Sequence, residues 1–257
     1  MKVKAIIALL KRLLAVSDEW LFPSDVLCLC CDRALGDEVT DGLCPACARE
    51  LENLAQKQEK REEEEERELQ PGIAFVHAAY PYEGCVRRLV HLLKFRSVRA
   101  AAVPLAKPMA FLLSGEEELL VPVPTDPGRK RKRGYNQATL LAEHISRTLG
   151  MPMCEALTRV RKSGPQTGLT LQERRENLVG CMEASGAVSG KRILLVDDVY
   201  TSGATAAEAA RALHAAGCKS VGVFCAARAG IHDDDYSEPF PTAEIRRKTK
   251  KDKQNIR

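Results

Sequence analysis

The sequence is poor in aromatic residues, nearly balanced in charge and free of long hydrophobic runs. Phe, Trp and Tyr make up 5% of the 257 residues, which leaves few side chains on which nucleobases could stack. A net charge of +4 is too small to indicate nucleic-acid binding by bulk charge. No segment reaches the ~18 consecutive apolar residues of a membrane span. With 45% hydrophobic residues, the composition is that of a globular protein of one or two domains.

The first 16 residues form an amphipathic and basic pattern, and we expect an N-terminal helix over 1–22. Two bases interrupt the apolar run and no small-residue cleavage site follows, so a secretory signal is excluded. The helix either docks on its own domain or binds an anionic membrane surface or a partner. The chain is rich in thiols and is expected to be cytoplasmic, at the inner face of the membrane if residues 1–16 bind lipid.

Two C-x-x-C pairs, separated by twelve residues, predict a small metal module over 23–55. Four thiolates complete a tetrahedral zinc site without an open position, so the ion would be structural. Cys30 is a fifth thiol, and the spacing favours Cys28 and Cys31 as the first pair. The alternative is two disulfides or idle thiols. The predicted ligands are Cys28, Cys31, Cys44 and Cys47.

Two charged stretches flank the predicted main domain. Residues 56–68 contain no apolar side chain, and we interpret 56–70 as a linker, either a solvated helix or a disordered spacer, with an acidic binding segment as the alternative. Residues 232–257 turn from acidic to strongly basic and predict a disordered tail. The domain between them spans 71–231.

That domain alternates apolar strand patterns with helical patterns. Strands are predicted at 74–82, 119–124, 192–199 and 220–229, and helices at 85–95, 135–150 and 204–217. Continuous apolar strands between helices are typical of an α/β fold with a mostly parallel sheet covered on both faces.

The segment 192–205, RILLVDDVYTSGAT, is the most informative. An apolar strand runs into Asp197 and Asp198, and a loop of small residues then opens a helix. Backbone N–H groups and hydroxyls at such a helix start can bind a phosphomonoester, and carboxylates at the strand end can accept hydrogen bonds from a sugar diol. The alternative is a plain strand–turn–helix with capping hydroxyls. The predicted phosphate-binding residues are Thr201, Ser202, Gly203, Ala204 and Thr205.

The same segment resembles the phosphoribosyl-pyrophosphate signature of type I phosphoribosyltransferases. More narrowly, the chain resembles the ComF family of competence-associated proteins over about residues 20–230. The resemblance includes the cysteine pairs, VPVP (121–124), RGYNQ (133–137) and the residues Lys162, Gln166, Arg174 and Asn177. It implies a type I phosphoribosyltransferase-like sheet preceded by the zinc module.

The resemblance also implies a role for two further segments. The loop after the strand at 119–124 begins near Thr125 and carries the consecutive bases 129–133. Thr125 would lie at the pyrophosphate, together with Arg133, Asn136 and Gln137. The alternative for these bases is a solvated turn or a nucleic-acid contact. Residues 162–182 would form a mobile lid that contributes Gln166, Arg174 and Asn177. Apart from the resemblance, Lys94 is a candidate for the outer phosphate or for the nucleobase side, with a solvated lysine near a helix end as the alternative.

An active enzyme of this family would use phosphoribosyl pyrophosphate, or a related ribose phosphate, with Mg²⁺. Asp197 and Asp198 would then be the catalytic residues, and phosphoribose would pass to an acceptor that the sequence does not name. The alternative is a non-catalytic module that handles single-stranded DNA or docks DNA-uptake proteins during natural transformation.

Overall fold

A computed structural model describes residues 27–36, 39–64, 69–111, 116–161 and 178–230 of the chain. The predicted N-terminal helix, the predicted tail and the lid residues Gln166, Arg174 and Asn177 lie outside the described residues. Within those five ranges, no helix has both the length and the apolar character needed to cross a membrane.

The described elements follow one another in an alternating order. The helices are α1 (Pro45–Glu64), α2 (Gly84–Phe95), α3 (Ala102–Ala106), α4 (Pro127–Arg133), α5 (Gln137–Leu149) and α6 (Ala204–Ala215). The strands are β1 (Phe75–Pro81), β2 (Leu119–Pro122), β3 (Leu157–Arg159), β4 (Met182–Ala184), β5 (Arg192–Tyr200) and β6 (Ser220–Arg228). Short 3-10 turns precede and follow α3.

The main sheet has four strands in the order β1-β6-β5-β2, and all neighbours are parallel. Successive side chains of a strand point to opposite faces. Accordingly Leu194 and Val196 of β5 pack in the cluster that contains α2 and α5, whereas Ile193 and Leu195 pack in the cluster that contains α6. The predicted α/β class, with a mostly parallel sheet covered on both faces, is confirmed.

The apolar residues of helix α2 form the surface that packs on the sheet. Its apolar residues recur along one face and are almost fully inaccessible to water, which fixes the helix on the sheet. Its final residues extend towards the carboxyl end of β5, where a side chain of α2 contacts the strand. The buried face consists of Cys85, Val86, Leu89, Val90 and Leu93.

The consecutive bases lie on a helix, so the predicted loop at this place is wrong. Asp126 caps α4 by accepting hydrogen bonds from the backbone nitrogens of Gly128 (2.9 Å) and Arg129 (3.1 Å). Pro127 occupies the first turn, and Gly134 ends the helix in the left-handed conformation at φ 85°. An Asp-Pro start and a Gly stop favour a helix even in a highly charged segment.

The cysteine module shares a core with the sheet. Cys28, Cys44 and Leu51 belong to the same buried cluster as Leu89 of α2 and Tyr80 of β1. Arg88 of α2 extends from the helix to this module, where its guanidinium donates to the carbonyl of Leu29 (3.1 Å) and to Asp32 (2.7 Å). The module is therefore packed against the domain that it precedes.

The charged run after the module is helical through Glu64, which agrees with the solvated-helix interpretation rather than with a disordered spacer, but part of this helix contacts the sheet and is not solvated. Gln58 is 2% exposed, and Glu62 accepts hydrogen bonds from the backbone nitrogen of Ala78 (2.9 Å) and from Gln58 (2.9 Å). His77 Nδ1 lies 2.9 Å from the second oxygen of Glu62. Polar side chains can be buried when their hydrogen bonds are satisfied, and here they cover the edge strand β1.

We predict that Glu62→Ala lowers the free energy of unfolding by about 1–3 kcal/mol, because the backbone donor of Ala78 loses its partner. Burial favours the neutral carboxyl, but the hydrogen bonds from His77, Gln58 and Ala78 outweigh it and lower the pKa of Glu62. A lowered pKa adds stability above the unfolded carboxyl pKa, and this stability is lost as the pH falls through the folded value. Urea unfolding at neutral and acidic pH measures both effects. Glu64→Ala, at an exposed position of the same helix, is the control, and equal losses in the two variants would contradict the prediction.

Candidate functional site

The carboxyl end of the central strand β5 carries the two predicted aspartates. Parallel sheets bind ligands at this edge, where the strands end and the following loops begin. Asp198 lies on the face covered by α2 and is 8% exposed, whereas Asp197 is half-buried. The backbone nitrogen of Asp198 donates to Oδ1 of Asp197 over 2.8 Å. The strand thus presents two adjacent but inequivalent carboxylates.

Lys94, a candidate residue from the sequence, makes a direct contact in the site. Its Nζ lies 3.0 Å from Oδ1 of Asp198, with side chains that are 19% and 12% exposed. The last turn of α2 thereby places a cation beside the aspartates. An ion pair that is largely removed from water needs good geometry to offset its desolvation, and the packing of α2 holds Lys94 in position.

Asp197 has the most strongly perturbed carboxyl of the site. Burial, and then the negative charge of Asp198, raise the pKa of Asp197 to about 7, against the opposing effects of Lys94 and Arg159. Carboxyl groups with a raised pKa are common at binding and catalytic sites. With a pKa of about 7, Asp197 can hold or release a proton near neutral pH as a ligand arrives.

The small-residue loop joins β5 to α6 as the sequence predicts. Gly203 caps α6 in the left-handed conformation at φ 75°. A Cβ atom at Gly203 would lie 2.2 Å from the hydroxyl oxygen of Tyr200, so only glycine fits. No side chain caps the start of α6, and the first N–H groups of a helix lack intrahelical partners. Thr201, Ser202 and Thr205 are partly exposed around this helix start, which gives the loop the donors of an anion cradle.

Two residues of the RGYNQ motif (133–137) form hydrogen bonds with the C-terminal end of α2, next to the site. Arg133 Nε donates to the carbonyl of Lys94 (2.6 Å), and the hydroxyl of Tyr135 donates to the carbonyl of Leu93 (2.6 Å). Side-chain donors of this kind satisfy carbonyls that a helix leaves free at its C-terminus. Arg133 and Tyr135 therefore position Lys94 against Asp198.

The amide of Asn136 holds the loop after β2. Its Nδ2 donates to the carbonyl of Val123 (2.9 Å), while its Oδ1 accepts from the backbone nitrogen of Ala138 (3.2 Å) and caps α5. Asn136, Thr125 and Lys130 line one small cavity at the end of β2, together with Glu155. Gln137 is only 3% exposed. The roles predicted for Thr125, Asn136 and Gln137 at a pyrophosphate remain predictions.

Two side chains that the sequence analysis did not select help to shape the site. Arg159 of β3 donates from Nε to the carbonyl of Pro124 (2.9 Å) and acts electrostatically on Asp197. The guanidinium carbon of Arg228 lies 5.2 Å from the centre of the ring of Tyr200, the last residue of β5. Arg159 gives no local signal because its partners are distant in sequence, whereas Tyr200 lies two residues after Asp198, inside the segment 192–205.

The predicted metal ligands converge. The sulfur atoms of the four predicted cysteines lie within 4.8 Å of one another, and those of Cys31 and Cys44 are 3.7 Å apart. A tetrahedral zinc–thiolate site with ~2.3 Å bonds has sulfur–sulfur edges of about 3.8 Å. A backbone hydrogen bond of Cys47 lowers the pKa of Cys44 to about 7, whereas burial raises the pKa of Cys31 and of Cys47, so the support for a metal site is the convergence of the sulfur atoms. The four side chains could therefore hold a metal ion.

Comparison with known proteins supports this architecture. The family model described as "Phosphoribosyl transferase domain" matches residues 136–242. "Competence protein F" from Haemophilus influenzae is 36% identical over 116 residues, which cover 44% of this chain and 51% of that protein. "DNA utilization protein YhgH" from Salmonella typhimurium is 28% identical over 230 residues, 79% of this chain and 90% of that protein. "Competence protein ComFC" from Bacillus subtilis is 26% identical over 199 residues, 75% and 80% of the two chains.

The parallel sheet, the loop after β5 and the family match define a type I phosphoribosyltransferase-like domain. Together with the cysteine module, the relatives support membership of the ComF family. Its match to Competence protein F spans only about half of that protein.

We predict that Asp197→Asn stabilises the unliganded protein at pH 8 and has a smaller effect at pH 5. A carboxyl whose pKa is raised on folding contributes stability below its unfolded pKa, and that contribution is lost as the pH rises through the folded value near 7. Urea unfolding across this range measures the difference, with Glu59→Gln, at an exposed site on α1, as the control. A benefit that does not change with pH would contradict the raised pKa.

Proposed function

We propose that the protein binds phosphoribosyl pyrophosphate with Mg²⁺ at the carboxyl end of β5 and transfers phosphoribose to an acceptor with release of pyrophosphate. The observation that carries this proposal is the continuous unit formed by Asp197, Asp198 and the loop 201–205 at the start of α6. It combines acceptors suited to a sugar diol with donors suited to a phosphate.

In this proposal each end of the ribose phosphate has its own partner. Backbone N–H groups and hydroxyls of Thr201–Thr205 hold the 5-phosphate, while Asp197 and Asp198 accept hydrogen bonds from the ribose hydroxyls. The same carboxylates stabilise positive charge that develops at the anomeric carbon when pyrophosphate departs. Lys94, 3.0 Å from Asp198, orients that carboxylate and adds positive charge near the leaving group.

The residues present fit the expected ions. Mg²⁺ prefers oxygen ligands and keeps several waters, so substrate oxygens with Asp197 or Asp198 suffice. When bound, it would neutralise the charge of the departing pyrophosphate. The cysteines Cys28, Cys31, Cys44 and Cys47 would hold Zn²⁺ in a structural role, because all four positions are taken by thiolates.

We place this activity in the uptake or use of DNA, on the basis of the names of the relatives. A second candidate function, binding of single-stranded DNA or of DNA-uptake proteins without catalysis, is favoured by α4. Four of its consecutive bases, Arg129, Lys130, Arg131 and Lys132, are exposed, and a cluster of this kind can neutralise a phosphate backbone. Membrane contact through residues 1–16 and a cytoplasmic location remain part of the proposal.

We predict that calorimetric titration of the wild type with phosphoribosyl pyrophosphate and Mg²⁺ gives saturable binding, which Asp197→Asn/Asp198→Asn weakens at least tenfold. A tenfold change corresponds to about 1.4 kcal/mol, which is within the usual loss from removing hydrogen bonds to charged groups.

Glu59→Gln/Glu63→Gln removes two exposed carboxylates of α1 and serves as the matched control, with unchanged affinity. Well-folded wild type that shows no heat and no protection against thermal unfolding would refute the proposed substrate. Binding without pyrophosphate release from any acceptor would favour the binding module over the transferase.

For the second candidate, we predict salt-dependent binding of a fluorescent oligothymidylate. Replacing Arg129, Lys130, Arg131 and Lys132 with Gln lowers the salt slope by about 0.7 for each phosphate that the protein no longer neutralises. The control replaces four other exposed bases, Arg49, Lys60, Lys191 and Lys219, and makes the same change in net charge. If both variants bind equally weakly, α4 is not the contact surface.

A further inference from the structure

Two cysteines outside the four-cysteine set lie beside it. Cys30 and Cys85 are 55 residues apart in sequence, yet Cys30 Sγ lies 3.7 Å from the carbonyl oxygen of Cys85 and donates to it. Both residues are 7% exposed. The fold therefore brings the fifth cysteine of the module to the first turn of α2.

A carboxylate completes this second group. The ligand atoms of Cys47, Glu50 and Cys85 all lie within 4.8 Å of one another. Cys47 and Glu50 are three residues apart on α1, so their side chains share one face of that helix. Cys47 also belongs to the four-cysteine set, and the two groups meet at its sulfur.

Capping of α2 explains only part of this arrangement. Glu50 Oε1 accepts a hydrogen bond from the backbone nitrogen of Cys85 (2.9 Å), as an acidic side chain does near a helix N-terminus. The bond involves one of two carboxylate oxygens and neither sulfur atom. The thiol of Cys85 also forms side-chain hydrogen bonds with Cys30 and Glu50, and the thiol of Cys47 approaches the same carboxylate from the four-cysteine set.

Two thiols and a carboxylate are ligands that suit a thiophilic divalent cation. Zinc binds thiolate sulfur at ~2.3 Å and carboxylate oxygen at ~2.0–2.2 Å, usually with four ligands. Glu50 is exposed while the cysteines are buried, so an ion could enter from solvent along the carboxylate. The thiol protons would be released to water on binding.

We propose that the chain binds a second zinc ion through Cys47, Glu50 and Cys85, with Cys47 bridging the two ions. Cys30 lies next to Cys85 and offers a thiol for the fourth position. The ComF module would then hold a dinuclear thiolate site at the start of α2, where a single structural ion would otherwise be expected.

The test is the zinc content of the full chain. The protein is loaded with excess Zn²⁺, freed of loose ions by gel filtration and analysed by elemental mass spectrometry. We expect two zinc ions per chain in the wild type and one in Cys85→Ser. Cys154→Ser, which removes a thiol outside both groups, should retain two.

Glu50→Gln is a second variant, chosen because it should still fold. Its amide oxygen can accept the hydrogen bond from the backbone nitrogen of Cys85, but it is a poorer metal ligand than a carboxylate. This variant should release its second zinc to a chelator at least tenfold faster than the wild type, with unchanged circular dichroism. Titration with Co²⁺ should show thiolate absorption up to two equivalents, and the second equivalent should weaken the paramagnetic signal of the first through the shared sulfur.

One zinc per chain in the wild type would overturn the second site while leaving the four-cysteine site intact. No zinc in the wild type would overturn both. Two ions in both wild type and Cys85→Ser would place the second ion elsewhere and would also refute the proposal.

Discussion

The contact between Lys94 and Asp198 joins the last turn of α2 to the carboxyl end of the sheet. The two groups are 3.0 Å apart and mostly buried. If either moved away, the other would be left as a buried charge without a partner, which is energetically costly. Arg133 and Tyr135 hold the carbonyls of the same helix turn. The site is therefore shaped by a helix packed along its whole buried face, and the loops are attached to that rigid frame.

Asp197 and Asp198 lie in different surroundings because successive side chains of β5 point to opposite faces of the sheet. Asp198 is paired with Lys94 of α2, whereas burial, and then the carboxylate of Asp198 itself, raise the pKa of Asp197. One carboxylate is thus held by an ion pair and the other is able to change protonation near neutral pH. A ligand with hydroxyl donors would meet one carboxylate that is paired with Lys94 and one that is not, which favours a single orientation of the ligand.

Much of the sheet can be predicted because its strands and helices are locally encoded. The apolar pattern of 192–200 gives β5, and the small residues of 201–205 give the turn into α6. The docking of Glu62 on β1 is not predictable, since an acidic run is normally solvated and its partners lie in another element. The same holds for Arg159, which contacts Pro124 across 35 residues. The helix α4 was predictable in principle, because its Asp-Pro and Gly signals flank the bases.

The core shared by the cysteine module and α2 has a consequence for how the chain can be divided. Leu51 is 4% exposed and lies in one cluster with Val86 and Leu89. A protein cut at residue 71 would present that apolar face of α2 to water, and it would also lose Glu62 from the edge of β1. Such a fragment would be prone to self-association through both the uncovered face and the open strand. The boundary that composition suggests between linker and domain is thus not a boundary of folding.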